Sequence, residues 1–518
     1  MAIKDKKSME VILWAAANKL RGNVESSQYK HVVLGLIFLK FASDKFKNHK
    51  KNLIEKGQKQ FSEIVEFYTK DNVFFLPEKS RWNYIIKNSK QDSIAIIIDT
   101  ALSIIEKNNP VLKGALPDNY FSRLNLDVSK LSALIDDINN LDTLKDREED
   151  IVGRIYEYFL SKFALAEGKG KGEFYTPKSI VNLIASLIEP YKGIIYDPCC
   201  GSGGMFVQSM KFIESHKGNK KDISLYGQES ITTTYKLAKM NLAIRGMSAN
   251  LGAVAKDTFG KDQHKDLKAD YIMANPPFNL RDWREADELL DDPRWRGYDI
   301  PPTGNANYAW ILHMVSKLSD NGTAGFLLAN GALSEGGEEY KIRKKLIENR
   351  LVEAIIILPQ RMFYTTPISV TLWIINKNKK KRSLKMNEIF KEYRDRMNEV
   401  LFIDLRKCGI PFEKKFIQFS PENIEQFSKT YHDWQLKNGE YKDIPEYSYS
   451  ANIEEIRKKD YSLVPSKYIE FVNRDENIDF HAKMTALQTE FPALLQKEKQ
   501  SKEDLLKVFK ELGYEIEL

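Results

Sequence analysis

Gly193-Ile194-Ile195-Tyr196-Asp197-Pro198-Cys199-Cys200-Gly201-Ser202-Gly203-Gly204-Met205 reads as a short apolar strand running into a glycine-rich turn. The helical spacing of Phe206 to Ile213 completes a strand, loop and helix unit. Glycines let the backbone turn sharply and let a ligand approach the main chain closely. A dinucleotide fingerprint wants glycine or alanine at the sixth position counted from Gly201, and that position is Phe206. The loop therefore suits an adenosyl ligand without pyrophosphate better than a dinucleotide, with Asp197 available to a positively charged methionine portion.

Outward from this unit, further apolar runs fall at Leu225 to Gly227, Tyr271 to Ala274, Gly325 to Leu328, Ala354 to Leu358 and Val370 to Ile375. Amphipathic helices such as Tyr235 to Ile244 alternate with them, the pattern of a parallel sheet covered on both faces. The spacing predicts a doubly wound α/β domain. Glu229 ends the second strand, where a carboxylate accepts hydrogen bonds from ribose hydroxyls; alone, it is equally a solvated glutamate. Asp257 falls where a third strand would end and is a candidate for the adenine amine of a cofactor. Upstream, Gly172-Glu173-Phe174-Tyr175-Thr176-Pro177 opens a helix, with Thr176 suited to its N-cap and Pro177 to its first turn. That element reads equally as packing or as a lid over a ligand.

After Tyr271 to Ala274 comes Asn275-Pro276-Pro277-Phe278. Proline fixes its own φ and pushes the preceding residue toward extended geometry, so Asn275 and the carbonyl of Pro276 are held in one orientation. An amide, two prolines and an aromatic at a strand end suit a grip on the exocyclic amine of an extruded nucleobase. A bare Pro-Pro pair is more often a stiffened loop; the glycine turn upstream favours the grip.

The chain has 518 residues, with 79 Lys and Arg against 72 Asp and Glu, a formal charge of +7 that permits a polyanionic partner without requiring one. Cys199, Cys200 and Cys408 have neither a disulfide framework nor zinc spacing, so a reducing compartment and no metal are expected. The run Val11 to Ala17 reads as a helix capped by Ser8 and stopped by Gly22, with Ile12, Ala16 and Leu20 on one face, and not as a secretory signal. No run reaches the roughly 18 apolar residues of a membrane span, and a cytoplasmic location is expected.

Leu34, Ile37, Phe38 and Phe41 share a helical face, so residues 1–165 are expected to form a mainly helical domain. Glu167-Gly168-Lys169-Gly170-Lys171-Gly172 then reads as a flexible connection or mobile loop. Residues 166–400 carry the α/β pattern, and 401–518 read as a polar, helical C-terminal region. There Ser501 and Asp504 form a capping box, Leu505, Val508, Phe509 and Leu512 share a face, and Gly513 supplies a stop.

The glycine loop with its Asp197-Pro198-Cys199, the Gly172-to-Pro177 element before it and the Asn275 tetrad after both resemble, in that order, the gamma arrangement of amino-methylating DNA methyltransferases. With the helical first third and Asn305 to Trp310, the chain most resembles the modification subunit of type I restriction-modification systems. The resemblance implies a Rossmann-like methyltransferase sheet, S-adenosyl-L-methionine as cofactor, and adenine N6 in double-stranded DNA as acceptor. Glu173, Phe174, Tyr175, Thr176, Pro177, Lys178, Ser202, Gly203, Gly204 and Glu229 would lie in the cofactor pocket, beside Asp197, Gly201 and Asp257. Asn275 and Pro276 would accept from the amine, and Phe278 would stack on the flipped base, with Phe363 or Tyr364 on its other side. Lys377, Lys379, Lys380, Lys381 and Arg382 are expected to touch phosphates or to form a solvated loop.

The chain shows no basic, aromatic-rich reading surface, so the family's specificity subunit is expected to supply target recognition. Two copies of this chain per complex and a restriction subunit for cleavage follow from the same resemblance. Three alternatives stay open: an N4-cytosine methyltransferase, a noncatalytic cofactor-binding scaffold, and a Rossmann dehydrogenase. A cytosine C5 enzyme using Cys199 is disfavoured, since the cysteine lies in the cofactor loop and no basic residue adjoins it.

Overall fold

A computed structural model describes residues 14, 18, 26–71, 73–140, 158, 159, 162, 176–216, 218–363, 366–386, 389–412, 415–472 and 480–511. Apart from Trp14 and Asn18, the helix expected between Ser8 and Gly22 lies outside them, as do the 167–172 run and Gly513.

The N-terminal third is helical. Helix α1 (Ser26–Glu55) buries Leu34, Ile37, Phe38 and Phe41, the stripe read from their spacing. Helices α2 (Ile94–Asn108) and α3 (Val128–Asn139) share its core, and the Asp127 carboxylate caps α3 by accepting from the backbone N–H of Lys130.

The α/β part begins with α4 (Lys178–Ile188), β1 (Gly193–Asp197), α5 (Gly204–Ser215), β2 (Ile223–Gly227), α6 (Thr232–Ile244), β3 (Ala249–Asn250) and β4 (Ala269–Ala274). It continues through α7 (Asn307–Lys317), β5 (Leu318–Ala329), α8 (Gly337–Glu348), β6 (Val352–Ile357) and β7 (Val370–Asn376). The hairpin β8 (Arg382–Met386) and β9 (Ile389–Tyr393) follows, then β10 (Glu399–Asp404) and a small hairpin of β11 (Ile410–Phe412) and β12 (Phe416–Gln418). Helix α9 (Pro421–Gln435) leads to β13 (Ser448–Asn452).

Nine strands form one sheet in the order β13-β10-β6-β7-β5-β4-β1-β2-β3. Every residue of β6 and β7 is buried, polar Glu353, Thr371 and Asn376 included, so neither strand shows the in-and-out alternation of a half-exposed sheet. Ile272 faces the core under α7 and α8, and Met273, one residue on, faces the core under α4 and α9. Leu237, Met240 and Ile244 of α6 join the core of the N-terminal helices, which ties that helical layer to the sheet domain. Burial of each such side chain contributes about 1.5–3 kcal/mol.

Two expectations are corrected. The sheet is not wholly parallel: β7 lies antiparallel between β5 and β6. Parallel neighbours need a long crossover, whereas the link from β6 to β7 contains no helix, so the chain turns back. Nor is Val370 to Ile375, the last run read as a strand, the end of the sheet, since β10 pairs parallel with β6 and β13 pairs antiparallel with β10. Val400, Leu401, Phe402 and Ile403 are all buried, and an apolar run this short does not by periodicity distinguish strand from helix.

The basic run is also corrected. Lys379 is buried, and its Nζ donates to the carbonyls of Val352 at 2.7 Å and Glu399 at 2.6 Å; Lys377 Nζ donates to the Leu318 carbonyl at 3.1 Å. Only Lys380 and Lys381 are exposed as expected of a loop. Apolar neighbours on β6 and β7 draw the lysine stem inward, and backbone carbonyls satisfy its head.

Met1–Ile469 and Glu470–Leu518 form two separate units. The second is described by helix α10 (Phe480–Glu511), which runs through Ser501 and Asp504, so their capping box starts no helix. Lys497-Glu498-Lys499-Gln500 are good helix formers, and nothing before Ser501 interrupts the chain. Met484, Leu487, Phe491, Leu494, Leu505 and Val508 are exposed along it. Among the described residues no helix is long and apolar enough to cross a membrane, and no group of His, Cys, Asp and Glu forms a metal site.

Candidate functional site

Strands β1 and β4 pair, Tyr196 against Ile272, so the loops at their carboxyl ends lie side by side. With β2 and β3 to one side and β4 and β5 to the other, the connections diverge here and open a crevice.

On the β1 side, Gly201 (φ 54°) and Gly203 (φ 80°) are left-handed, and a β-carbon at Gly201 would meet nothing within 4 Å. The turn is tied internally by Gly203 N to the Cys200 carbonyl (2.8 Å) and externally by Cys200 N to the Gln228 carbonyl (2.9 Å). Asn241 Nδ2 donates to the Ser202 carbonyl at 2.7 Å. Phe206 is fully buried, its ring 3.0 Å from where a β-carbon on Gly227 would sit, so the bare end of β2 makes room for it.

Two carboxyls flank the turn. Asp197 Oδ1 accepts from Cys199 N at 3.0 Å, and burial, reinforced by Glu229, pushes its carboxyl up to about 7. Glu229 Oε2 accepts from Gly201 N at 3.0 Å and Oε1 from Ile231 N at 2.8 Å; burial raises this carboxyl too, against those bonds. Glu229 Oε1 also accepts from Ser230 Oγ at 3.4 Å, so it is Oε2 that retains a second lone pair for a ligand hydroxyl. Burial pushes the thiols of Cys199 and Cys200 well above their ordinary value, so neither is a ready thiolate nucleophile.

Asp257 does not end a strand. The third strand is only Ala249–Asn250, and Asp257 stands exposed in a later loop, its Oδ2 accepting from Gly260 N at 2.5 Å. That loop is held by Gln228, whose Nε2 donates to the carbonyls of Lys256 (3.0 Å), Asp257 (3.2 Å) and Lys261 (2.8 Å). Thr258 Oγ1 donates to the Pro198 carbonyl at 2.6 Å. Arg294, salt-bridged to Asp292, donates to the carbonyls of Thr258 (3.0 Å) and Phe259 (2.8 Å). Gln228, Asn241, Thr258 and Arg294 thus support the glycine-turn side of the crevice, and no motif marks them; a polar residue beside Glu229 at a strand end is the one signal for Gln228.

On the β4 side, Asn275 is buried and its Nδ2 donates to Thr176 Oγ1 at 3.0 Å. Asn275 Oδ1 accepts no hydrogen bond among the described residues. This corrects Thr176, which does not cap the helix: α4 starts at Lys178 with Pro177 at the N-cap position and no side-chain cap bond. Phe278 meets Phe363 edge-on, ring centroids 6.0 Å apart at 86°. Phe363 is buried in the core, so it buttresses Phe278 and does not form the opposite wall of a stacking slot. Lys178 lines a groove of about 750 Å³ between α4, α5 and α9, with Asn182, Lys211 and His432. Glu173, Phe174, Tyr175 and Tyr364 lie outside the described residues.

The crevice thus sets a buried amide acceptor beside a glycine turn carrying two buried carboxyls, an arrangement suited to a cationic, ribose-bearing ligand next to an amine. Two family models match: N-6 DNA methylase over residues 147–477 and the HsdM N-terminal domain over residues 9–138. The HindI type I restriction enzyme methylase subunit of Haemophilus influenzae is 39% identical, aligned over 85% of this chain and all of that one. The MjaIX methylase subunit of Methanocaldococcus jannaschii is 36% identical over 97% of this chain and 91% of that one. Among solved structures, a type I restriction-modification methyltransferase subunit from Streptococcus thermophilus shares the fold with a TM-score of 0.73 at 23% identity, covering 90% of this chain and 99% of that one.

Proposed function

Because the chain belongs to the N-6 DNA methylase family, as a methylase subunit of the type I restriction enzyme kind, we propose how its residues divide the work of methyl transfer. It is an adenine-specific DNA methyltransferase whose cofactor is S-adenosyl-L-methionine, which when bound supplies the electrophilic methyl group.

Asp197 faces the cationic methionine portion, Glu229 the ribose hydroxyls, and Gly201, Ser202, Gly203 and Gly204 offer main chain that a ligand can approach. Glu173, Phe174, Tyr175, Thr176, Pro177 and Lys178 complete that side, with Asp257 at the adenine. The observation that carries the reading is Asn275 Oδ1, a buried acceptor at the carboxyl end of β4 beside the glycine turn. An exocyclic amine is a poor nucleophile because its lone pair is delocalised into the ring. Acceptance of its hydrogens by Asn275 Oδ1 and the Pro276 carbonyl directs that lone pair outward and holds the proton that must leave as the N–C bond forms. Pro277 stiffens the turn, and Phe278 offers the flipped base an aromatic face, recovering part of an unstacking cost of a few kcal/mol.

The raised carboxyl of Asp197 has a consequence for pH. Its folded value of about 7 lies above the unfolded one, so burial of this group costs stability progressively as pH rises from about 4 to about 7. A cationic ligand favours the ionised form, so cofactor affinity has the opposite trend. It should rise by up to about tenfold per unit below pH 7 and level off above it. Titration calorimetry across pH 5.5–8.5 checks this, and a slope that persists unchanged in Asp197→Asn would exclude Asp197 as its source.

A specificity subunit is proposed to choose the DNA site, with two copies of this chain per complex and a restriction subunit joining for cleavage. Met484, Leu487, Phe491 and Leu494 on α10 repeat at alternating three- and four-residue steps, the seam of a helix awaiting another helix. We therefore assign partner contact to the segment after Ile469, within a division into a helical 1–165, a catalytic 166–400, and a C-terminal 401–518 from which most of β10 and all of β13 join the catalytic sheet. A cytoplasmic location fits a DNA-modifying enzyme, and recovery with membranes would overturn it.

The test is to sequence methylated DNA from a methylation-free host expressing this chain alone, with its specificity subunit, and with that subunit plus Leu487→Asp/Phe491→Asp. N6-methyladenine at one defined motif in the second case only is expected. N4-methylcytosine would favour the cytosine alternative, and motif methylation by the chain alone would refute dependence on a partner.

A further inference from the structure

The Asn275-to-Phe278 turn is anchored at its start by β4 and Thr176. Its other end leads into an excursion of residues 280–306 that returns to α7, and a side-chain clamp lies where the two ends of this excursion meet. Asn307, the first residue of α7, is fully buried. Its Oδ1 accepts from Asn279 N at 3.1 Å, and its Nδ2 donates to Asn279 Oδ1 at 2.8 Å. Asn279 therefore has both its backbone donor and its side-chain acceptor held by one amide. Its φ is +53°, a conformation few residues other than glycine and asparagine adopt readily.

Neighbouring bonds stiffen the clamp. Asn305 Oδ1 accepts from Asn307 N at 3.0 Å, Ala306 N donates to the Leu280 carbonyl at 2.9 Å, and Asp282 N to the Thr303 carbonyl at 3.0 Å. Tyr308, Ala309, Trp310, Ile311 and Leu312 root α7 in the core, so Asn307 does not move independently of the sheet. Phe278 immediately precedes the clamped residue, and the direction in which its ring leaves the chain depends on where Asn279 is fixed.

We infer that Asn307 is a positioning residue for methyl transfer, holding Asn279 so that the Pro276 carbonyl and Phe278 meet the flipped base in register with Asn275. Asn307 touches neither base nor cofactor and acts through the turn. This rests on the adenine-methyltransferase reading and extends it to a residue of the Asn305-to-Trp310 stretch, which that reading left without a role. Loss of the clamp affects the base side of the crevice and leaves the Asp197 and Glu229 side in place.

The experiment uses the complex of this chain with its specificity subunit. Asn307→Ala should lower kcat by roughly 10- to 100-fold while S-adenosylmethionine affinity stays within about threefold, and 2-aminopurine at the target position should lose most of its flipping signal. Asn307→Asp, which keeps the acceptor for Asn279 N, should fall between. Asn279→Gly tolerates the positive φ but lacks the side-chain oxygen. Its combination with Asn307→Ala should be no worse than Asn307→Ala alone, because Asn307→Ala already removes the bond that Asn279→Gly removes.

Undiminished turnover in Asn307→Ala would overturn the inference. So would a loss of cofactor affinity in step with turnover, which marks a merely structural role, or an additive double variant. A wild-type complex that methylates cytosine N4 would instead fail the adenine reading, while the same Asn307-to-wild-type ratio still judges the clamp.

Discussion

Asn275→Ala should reduce methyl transfer by about 10³-fold or more while leaving S-adenosylmethionine affinity within a few-fold. Asn275 is buried at the end of β4, its Nδ2 committed to Thr176 Oγ1 at 3.0 Å and its Oδ1 turned to no other described group. Truncation removes the one side-chain acceptor the turn presents and leaves the Pro276 carbonyl alone to orient the amine. Asp197, Glu229 and the glycine turn belong to β1 and β2, so their geometry survives. Asn275→Asp keeps an acceptor but loses the donor to Thr176, and should retain more activity than alanine. Single-turnover methylation with tritiated cofactor, paired with calorimetric binding, separates the two effects. Turnover in Asn275→Ala within tenfold of wild type would sink the proposed mechanism.

Glu353→Ala should cost about 3–5 kcal/mol of stability, the largest effect expected for any site away from the crevice. Glu353 of β6 is fully buried and accepts from Arg396 Nε at 3.0 Å and Gln435 Nε2 at 3.1 Å, with Asn376 Nδ2 on its other oxygen. Burial alone would raise this carboxyl; the Arg396 guanidinium and the Lys379 ammonium outweigh that and hold it below the usual range. Removal of Glu353 leaves Arg396, itself fully buried, without its carboxylate, and Lys379 loses a nearby negative charge. The cluster lies where β6, β7 and β10 meet the end of α9, so the loss falls on the half of the sheet beyond β5. The thermal midpoint should drop by roughly 5–10 °C, and hydrogen exchange should rise in β6 and β10 before β1 and β4. An unchanged midpoint would show that the cluster is not buried as a unit.

Much of the crevice was legible because its chemistry is local. Each of Asp197, Gly201, Gly203, Glu229 and Asn275 sits at or just past the end of an apolar run, and strand ends in an open α/β sheet are where ligands bind. The same logic misplaced Asp257 at a strand end, because β3 is only two residues long and the chain beyond it is shaped by Gln228 just past the end of β2. It misassigned Thr176, whose hydroxyl suited an N-cap but bonds a residue 99 positions away. Lys379 looked like surface charge because its neighbours in sequence are charged, whereas its neighbours in space are β6 and β10.

By itself the sequence determined what depends on short separations along the chain: strands and helices through apolar period, the turn through its glycines, the rigid tetrad through its prolines, and the family through motif order. Tertiary structure alone decided what depends on strand order and burial. It placed β7 antiparallel, carried the sheet on to Asn452, raised the Asp197 carboxyl by desolvation, and brought Asn307 onto Asn279 across 28 residues. Period and composition describe which faces are apolar, but which polar groups meet once those faces close is set by packing, and that information is not local.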